Sequence, residues 1–253
     1  MNVLQQAAEE ISSAKNIIIT AGAGMGVDSG LPDFRGDNGF WRAYPPLQGI
    51  PFVEMANPQK FEENVRLAWG FYGHRLDLYR ETVPHNGFSI LQKWVKNRPF
   101  FIYTSNVDGQ FQKAGFLDQR IIEIHGSIHH LQYFSGGNSV WSAEDLEVEI
   151  QEENLHFVGE IPMDDGRLLR PNILMFGDYE WESSRTDAQY KVVNTYIKEH
   201  FSDDTSKTVI IEMGAGTGIP SIRNFGERRQ RNGEVLIRIN PREAQGTTNT
   251  ISI

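Results

Sequence analysis

The sequence contains no cysteine among its 253 residues. Disulfide bonds, thiol nucleophiles and zinc sites built from thiolates are therefore excluded, and the composition is compatible with a reducing compartment. Basic residues are in the minority, since 24 Lys and Arg stand against 33 Asp and Glu and give a formal net charge of −9. This charge disfavours binding to nucleic acid or to an anionic membrane surface.

Long apolar runs are missing as well. No apolar stretch reaches the roughly 20 residues that a helix needs to cross a bilayer. The opening segment MNVLQQAAEEISSAKN lacks the basic flank and apolar run of a signal peptide. We therefore expect a cytoplasmic protein with neither nucleic acid nor membrane among its partners.

The sequence does contain a series of short, unbroken apolar runs. They lie at residues 16–20, 100–104, 121–124, 172–176, 209–213 and 235–239. Runs without apolar and polar alternation are typical of strands covered on both faces, as in parallel sheets. Helical segments separate several of these runs, and one such segment precedes the first run. The pattern predicts an α/β fold with a doubly wound parallel sheet.

Two insertions interrupt this pattern. Residues 45–83 contain an aromatic-rich helical stretch, and residues 131–167 are polar and glycine-containing, then acidic. We predict a large domain made of residues 1–44, 84–130 and 168–253. The two insertions would form a smaller second domain, a helical module plus a β-rich lobe.

Polar or glycine-rich residues follow nearly every apolar run. Because ligands of open α/β sheets bind beyond the carboxyl ends of the strands, these residues indicate one shared cleft. The first of these segments, Gly22-Ala23-Gly24-Met25-Gly26, suits a dinucleotide, since its backbone can approach a pyrophosphate closely. The same loop also fits a purely structural turn. Val27 replaces the third glycine of the usual fingerprint, which disfavours a hydride-transferring dehydrogenase.

Five segments then carry a family resemblance. They read GAGMGVDSGLPDFRG, TSNVDGQFQKAG (104–115), EIHGSIHHL, LRPNILMFGD (169–178) and RIN (238–240). In this order they resemble the motifs of the sirtuins, which are NAD-dependent protein deacylases. The resemblance implies a Rossmann-like large domain and a cleft that binds NAD, as co-substrate, beside an acyl-lysine protein or peptide. The implied reaction transfers the acyl group from lysine to ADP-ribose and releases nicotinamide.

The resemblance also implies roles for particular residues. His125 would be the catalytic base, because an imidazole with a pKa near ~6.5 exchanges protons at neutral pH; the alternative is a structural histidine. Asn106 and Asp108 would hold the ribose and the carboxamide, unless they only form an Asx-turn. The cofactor-binding set is Gly22, Ala23, Gly24, Asp33, Phe34, Arg35, Ser105, Gly214, Gly216 and Asn240. The substrate-pairing strand is Asn172, Ile173, Leu174, Met175, Phe176 and Gly177.

The sequence departs from the family pattern at several positions. Gly26 stands where the family has serine, and Ser105 where it has glutamine. All zinc cysteines are missing, and Tyr133 stands about where the first would fall. The adjacent His129 and His130 cannot replace four thiolates, so we predict no metal and no zinc, and we interpret both as surface or packing residues. Relatives usually continue after the RIN segment with another strand or loop and a closing helix.

Two other functions remain open at this point. One is an NAD glycohydrolase or ADP-ribosyltransferase on the same scaffold, and the other is a non-catalytic NAD-sensing module. The acyl group is open too. Tyr72 and Arg75 lie three residues apart on one helical face. They fit an acidic acyl group, as in desuccinylating relatives, and they fit a helix that packs against the domain equally well.

Overall fold

The computed structural model describes residues 2–34, 36–201 and 206–253. Its helices are α1 (Val3–Ser13), α2 (Gly36–Ala43), α3 (Phe52–Met55), α4 (Gln59–Glu63), α5 (Val65–Glu81), α6 (Asn86–Val95), α7 (Gln110–Lys113), α8 (Ser184–His200) and α9 (Ser221–Arg231). Its strands are β1 (Asn16–Ala21), β2 (Phe100–Thr104), β3 (Ile121–Glu123), β4 (Gly126–Tyr133), β5 (Val140–Ser142), β6 (Ile150–Gln151), β7 (His156–Phe157), β8 (Met163–Asp164), β9 (Arg167–Ile173), β10 (Thr208–Met213), β11 (Val235–Ile239) and β12 (Ile251–Ser252). Within these residues, no helix is long and apolar enough to cross a membrane.

The centre of the molecule is a parallel sheet in the order β12-β11-β10-β1-β2-β3. Every residue of β1 is buried, because helices cover both faces of the sheet. Ile17 and Ile19 pack on one face with Leu91 of α6, whereas Ile18 packs on the other with Val193 of α8. The predicted α/β fold with a doubly wound, Rossmann-like parallel sheet is confirmed.

The apolar run at 172–176 is not a strand of this sheet. It was expected to be parallel, but β9 ends at Ile173 and lies antiparallel to β4 in a four-stranded sheet ordered β5-β4-β9-β8. Leu169 and Ile173 pack one face of β9 on the helical module, whereas Arg170 and Asn172 on the other face bind Asp178 and the Glu182 carbonyl, so both faces of the strand are buried. An unbroken apolar run predicts that both faces of a strand are buried, but it does not predict which strand pairs with it. The outer strand β12 carried no sequence signal because only two of its residues pair.

The helical insertion and the four-stranded sheet share one aromatic core. Trp69 and Phe71 of α5, Phe40 of α2 and Ile128 of β4 are all fully buried in it. β4 and β9 both extend across the predicted boundaries at 130/131 and 167/168. The division into a large and a small domain at those residues therefore stays a prediction.

Aromatic and charged side chains surround the position where the resemblance implies the first zinc cysteine. The Tyr133 ring packs edge-on against Trp141, with centroids 4.7 Å apart, and the Arg167 guanidinium lies 3.2 Å from the centroid of the Tyr133 ring. The Tyr133 hydroxyl donates a hydrogen bond to Asp164. These contacts tie β4, β5, β8 and the start of β9 together at that end of the lobe.

Candidate active site

A cleft of about 710 Å³ opens beyond the carboxyl ends of β1, β2, β3 and β10. Its volume falls within the range of about 300–1,000 Å³ that is usual for small-molecule sites. The structure brings together most of the site residues that the sequence predicted. These cleft-lining residues are Gly22, Ala23, Gly24, Asp33, Phe34, Ser105, Asn106, Asp108, His125, Ile173, Leu174, Met175, Phe176, Gly214 and Gly216.

Other predicted residues do not line the cleft. Asn172 is completely buried, and its side-chain amide donates to Gln132 Oε1 and to the Glu182 carbonyl. Gly177 lies beyond the cleft wall in a turn. Arg35 lies outside the described residues.

Asn240 supports the cleft from behind. Its Nδ2 donates to the Ala215 carbonyl at 3.0 Å, and its Oδ1 accepts from the backbone N–H groups of Arg242 and Glu243. The side chain therefore fixes the loop that follows β10. A position at the end of a strand suggested direct contact with a ligand, but the tertiary structure turned this amide toward the backbone.

The floor of the cleft consists largely of backbone from two glycine loops. The Gly24 N–H donates to the Gly214 carbonyl at 3.0 Å, and a Cβ on Gly24 would lie 2.7 Å from the Gly214 Cα. Only a residue without a side chain fits there. The loops thus pack backbone to backbone, which gives these glycines a structural role besides the expected one of leaving room for a ligand. The chain then continues as a 3₁₀ helix over Ala23–Ser29.

The loop after β2 presents a buried amide and a buried carboxylate. Thr104 Oγ1 donates to the Ala21 carbonyl and accepts from the Asn106 N–H, which anchors the loop to β1. Asp108 Oδ1 accepts from the Gln110 N–H at 3.0 Å, as expected for an Asx-turn, yet Asp108 also lines the cleft. Burial raises the pKa of Asp108 to about 6, against the lowering effect of that hydrogen bond. Asp108 therefore forms the local turn and also lines the cleft, and its role in binding a ligand stays a prediction.

His125 lies in the turn between β3 and β4. Its carbonyl accepts from the Leu174 N–H at 3.0 Å, which joins this turn to the end of β9. Burial lowers the pKa of His125, and a hydrogen bond with the Ser105 backbone opposes the shift. The imidazole is consequently neutral at pH 7 and able to accept a proton.

Phe34 has the left-handed backbone angle φ 49°, which is unusual for a residue with a side chain. Its ring stacks on Phe52 at 5.3 Å between centroids and meets Phe40 and Phe71 edge-on. The ring therefore forms part of the aromatic wall of the cleft. The role of Phe34 in cofactor binding, which the resemblance implies, stays a prediction.

Tyr72 and Arg75 of α5 also line the cleft. Arg75 is only 7% exposed, and its Nε and Nη2 donate to the Tyr79 hydroxyl at 3.0 and 2.9 Å. Four aromatic rings lie within 5.0–5.8 Å of its guanidinium carbon. Within the described chain no Asp or Glu forms an ion pair with Arg75, and the buried Tyr72 hydroxyl has no hydrogen-bond partner.

Some of the cleft wall was missed by sequence reasoning. Phe52 and Val53 come from the short helix α3, and Thr217 and Glu243 contribute on the far side, where their side chains are hydrogen-bonded to each other. A four-residue helix and an irregular loop give no periodic signal, so these residues could not have been found from the sequence pattern.

The described residues contain no group of three or more His, Cys, Asp or Glu side chains that could hold a metal ion. His129 and His130 are both half-buried on β4. His129 Nε2 donates to the backbone carbonyl of Asp108 at 3.0 Å. This link to the loop after β2 was not expected from the sequence.

The fold and cleft define an α/β protein with a nucleotide-type site at the carboxyl edge of a parallel sheet. The Sir2 family model matches residues 22–197. A protein of Aquifex aeolicus named NAD-dependent protein deacylase is 30% identical over 232 residues, which are 90% of this chain and 84% of the relative. An NAD-dependent protein deacetylase of Saccharolobus solfataricus is 31% identical over 177 residues, 70% of this chain and 66% of the relative.

Among solved structures, a Sir2 homologue in complex with ADP-ribose superposes with a TM-score of 0.72. It is 24% identical, and the match covers 99% of this chain and 89% of that one, so this similarity concerns the fold. The family model, which matches more than half of the chain, and the Aquifex relative establish the family as well as the fold. The chain belongs to the Sir2 family.

Proposed function

We propose that the protein is an NAD-dependent protein-lysine deacylase, which transfers an acyl group from lysine to ADP-ribose and releases nicotinamide. The observation that carries this proposal is the meeting of a neutral, half-buried His125 with Asn106, Asp108 and the glycine loops in one cleft. The names of the two relatives described above agree with this activity. The proposed substrate is an acyl-lysine protein or peptide, and the proposed location is the cytoplasm.

The residues that line the cleft are chemically suited to bind NAD. Gly22, Gly24, Gly214 and Gly216 line the cleft without side chains and would leave room for the phosphates. The N–H groups of the first three already donate to the Met213, Gly214 and Ile239 carbonyls, so these glycines would admit the phosphates rather than donate to them. When bound, NAD supplies an ADP-ribosyl group whose nicotinamide can leave. The Asp108 carboxylate can accept a hydrogen bond from an amide NH₂ group, and the Asn106 amide can both donate and accept.

His125 would act as the general base. Its lowered pKa leaves a nitrogen lone pair free at pH 7, and its location in the cleft supports the proposal that it removes a ribose hydroxyl proton. Phe34, with the aromatic residues around it, would exclude water from the reacting group. This exclusion favours transfer to the acyl oxygen over hydrolysis.

The peptide would lie along residues 173–176 at the mouth of the cleft. In this segment the N–H groups of Leu174 and Phe176 already donate to His125 and Ala56 within the chain. A peptide therefore has the carbonyl groups and the half-exposed Leu174 side chain to contact, not a full set of backbone partners. We propose side-chain and carbonyl contacts here.

For the acyl group, we propose an acid such as succinyl. Among the described residues no carboxylate forms an ion pair with the buried Arg75, and the buried Tyr72 hydroxyl has no hydrogen-bond partner there. The Arg75 guanidinium donates to the neutral Tyr79 hydroxyl, which leaves its charge without an ion-pair partner among the described residues. Buried polar groups are normally paired, so this charge and the Tyr72 hydroxyl point to a ligand that carries a carboxylate.

The proposal is tested by incubating the protein with NAD and succinyl- or acetyl-lysine peptide. Mass spectrometry should detect nicotinamide and O-acyl-ADP-ribose in equal amounts. His125→Ala should lose both products, whereas His156→Ala, which removes an imidazole that does not line the cleft, should keep them. Free ADP-ribose formed without peptide would instead select a glycohydrolase or ADP-ribosyltransferase. Tight NAD binding without any product would select a sensing module.

A further inference from the structure

The strand β4 contains an irregularity that contacts the candidate catalytic loop. In its pairing with β9, Ser127 lies opposite Asn172, but the next paired residue, Leu131, lies opposite Pro171. Ile128, His129 and His130 therefore bulge out of the ladder. Bulges of this kind commonly redirect side chains next to active sites.

The bulge binds two successive carbonyl groups of the loop after β2. The Ile128 N–H donates to the Val107 carbonyl at 3.0 Å, and the His129 Nε2–H donates to the Asp108 carbonyl at 3.0 Å. The first bond comes from backbone and needs no particular side chain. The second depends on the imidazole alone.

The His129 ring also covers the residue after Asp108. Gly109 has the left-handed angle φ 66°, and a Cβ built on it would lie 2.8 Å from His129 Cδ2. The ring therefore fills the space next to Gly109 that a side chain there would occupy. Together, the hydrogen bond and this contact fix the peptide that joins Asp108 to Gly109.

We infer that His129 is a positioning residue for the Asp108 carboxylate, an inference that rests on the proposed function. The carbonyl and the side chain of Asp108 share one Cα, so a rotation of the peptide would redirect the carboxylate in the cleft. His129 itself acts from behind the loop and lines a second depression with Gln112 and Arg185, not the cleft. Its effect on NAD therefore passes through Asp108.

Three variants separate this role from simple packing. His129→Phe keeps a ring over Gly109 but removes the donor, and we expect it to raise both the KM and the calorimetric Kd for NAD about tenfold. His129→Gln can place an amide donor near the same carbonyl and should restore both constants to within about threefold of the original protein. His130→Phe is the matched control, since the His130 Nδ1 has no hydrogen-bond partner within the described residues. It should leave both constants within about twofold. The KM for the peptide should stay constant in all three.

A double-mutant cycle on the Kd for NAD supplies the decisive measurement, because it needs no turnover. If His129 acts through Asp108, then His129→Phe should add less than about twofold in an Asp108→Asn background. The inference is overturned if His129→Phe leaves NAD binding unchanged, if His130→Phe has the same effect, or if the two substitutions are additive. Should His129→Phe fail to give a cooperative thermal transition, His129→Met carries the same test.

The two proposals fail in different ways. A protein that binds NAD but forms no acylated product contradicts the deacylase proposal, while the calorimetric cycle still decides the role of His129. A protein that deacylates normally after His129→Phe contradicts the positioning role alone. Absence of NAD binding in the unmodified protein would overturn both.

Discussion

Replacing Arg75 with methionine should change the acyl preference of the protein. Methionine is shorter than arginine, but it keeps an unbranched side chain that can pack among the Phe34, Phe71 and Tyr72 rings, and it lacks the cation. The carboxylate of a succinyl-lysine substrate would lose the cation that binds it in the cleft, whereas the acetyl group of an acetyl-lysine substrate has no carboxylate and does not need that cation. We therefore expect a selective loss of activity toward the acidic acyl group.

The expected loss of activity can be derived from the burial and the hydrogen bonds of the Arg75 guanidinium. Arg75 is 7% exposed and already oriented by its two hydrogen bonds to Tyr79, so little entropy is lost when it binds a carboxylate. A hydrogen bond to a charged group contributes about 1.5–3 kcal/mol. At about 1.4 kcal/mol per factor of ten, kcat/KM for the succinyl peptide should fall roughly 10- to 150-fold. Tyr72→Phe should cause a smaller loss in the same direction.

The assay compares kcat/KM for succinyl- and acetyl-lysine versions of one peptide at saturating NAD. Arg80→Met is the matched control on the same helix, because the Arg80 guanidinium binds the Ala143 and Leu146 carbonyls in the lobe. It should leave the succinyl-to-acetyl ratio unchanged. An equal loss for both peptides in Arg75→Met, or a preference for acetyl-lysine in the unmodified protein, would refute the reasoning and leave Arg75 as a packing residue.

Further predictions concern the cleft and the lobe. Because burial raises the pKa of Asp108 to about 6, the calorimetric affinity for NAD should rise with pH through about 6, and Asp108→Asn should abolish this dependence. The raised pKa also costs stability above pH 6 and not below pH 4, so Asp108→Asn should increase the Tm more at pH 8 than at pH 4; an equal increase at both values would contradict the assigned shift. Gly24→Ala should lower the Tm, because its Cβ would lie 2.7 Å from the Gly214 Cα, whereas Gly218→Ala, with no atom within 4 Å, should not. A metal chelator should leave the Tm unchanged, since the sequence has no cysteine for a structural zinc, while Tyr133→Leu should lower it by removing the contacts to Asp164 and Trp141.

The sequence by itself determined the parallel sheet and the location of the cleft. Apolar runs such as 16–20 and 209–213 mark strands buried on both faces, and burial is a property that each segment records in its own composition. Because the carboxyl ends of parallel strands share one edge, Gly22, Asn106 and His125 could be predicted to meet. The family motifs supplied their proposed chemical roles.

The tertiary structure alone decided which neighbours each buried segment has. It placed residues 172–173 in an antiparallel sheet, turned the Asn240 amide toward backbone, and surrounded the Arg75 cation with aromatic rings. It also brought His129 against the Asp108 carbonyl, 21 residues earlier in the chain. Periodicity and composition encode how deeply a residue is buried, but contacts between distant segments depend on how the elements pack, and no local pattern in the sequence specifies them.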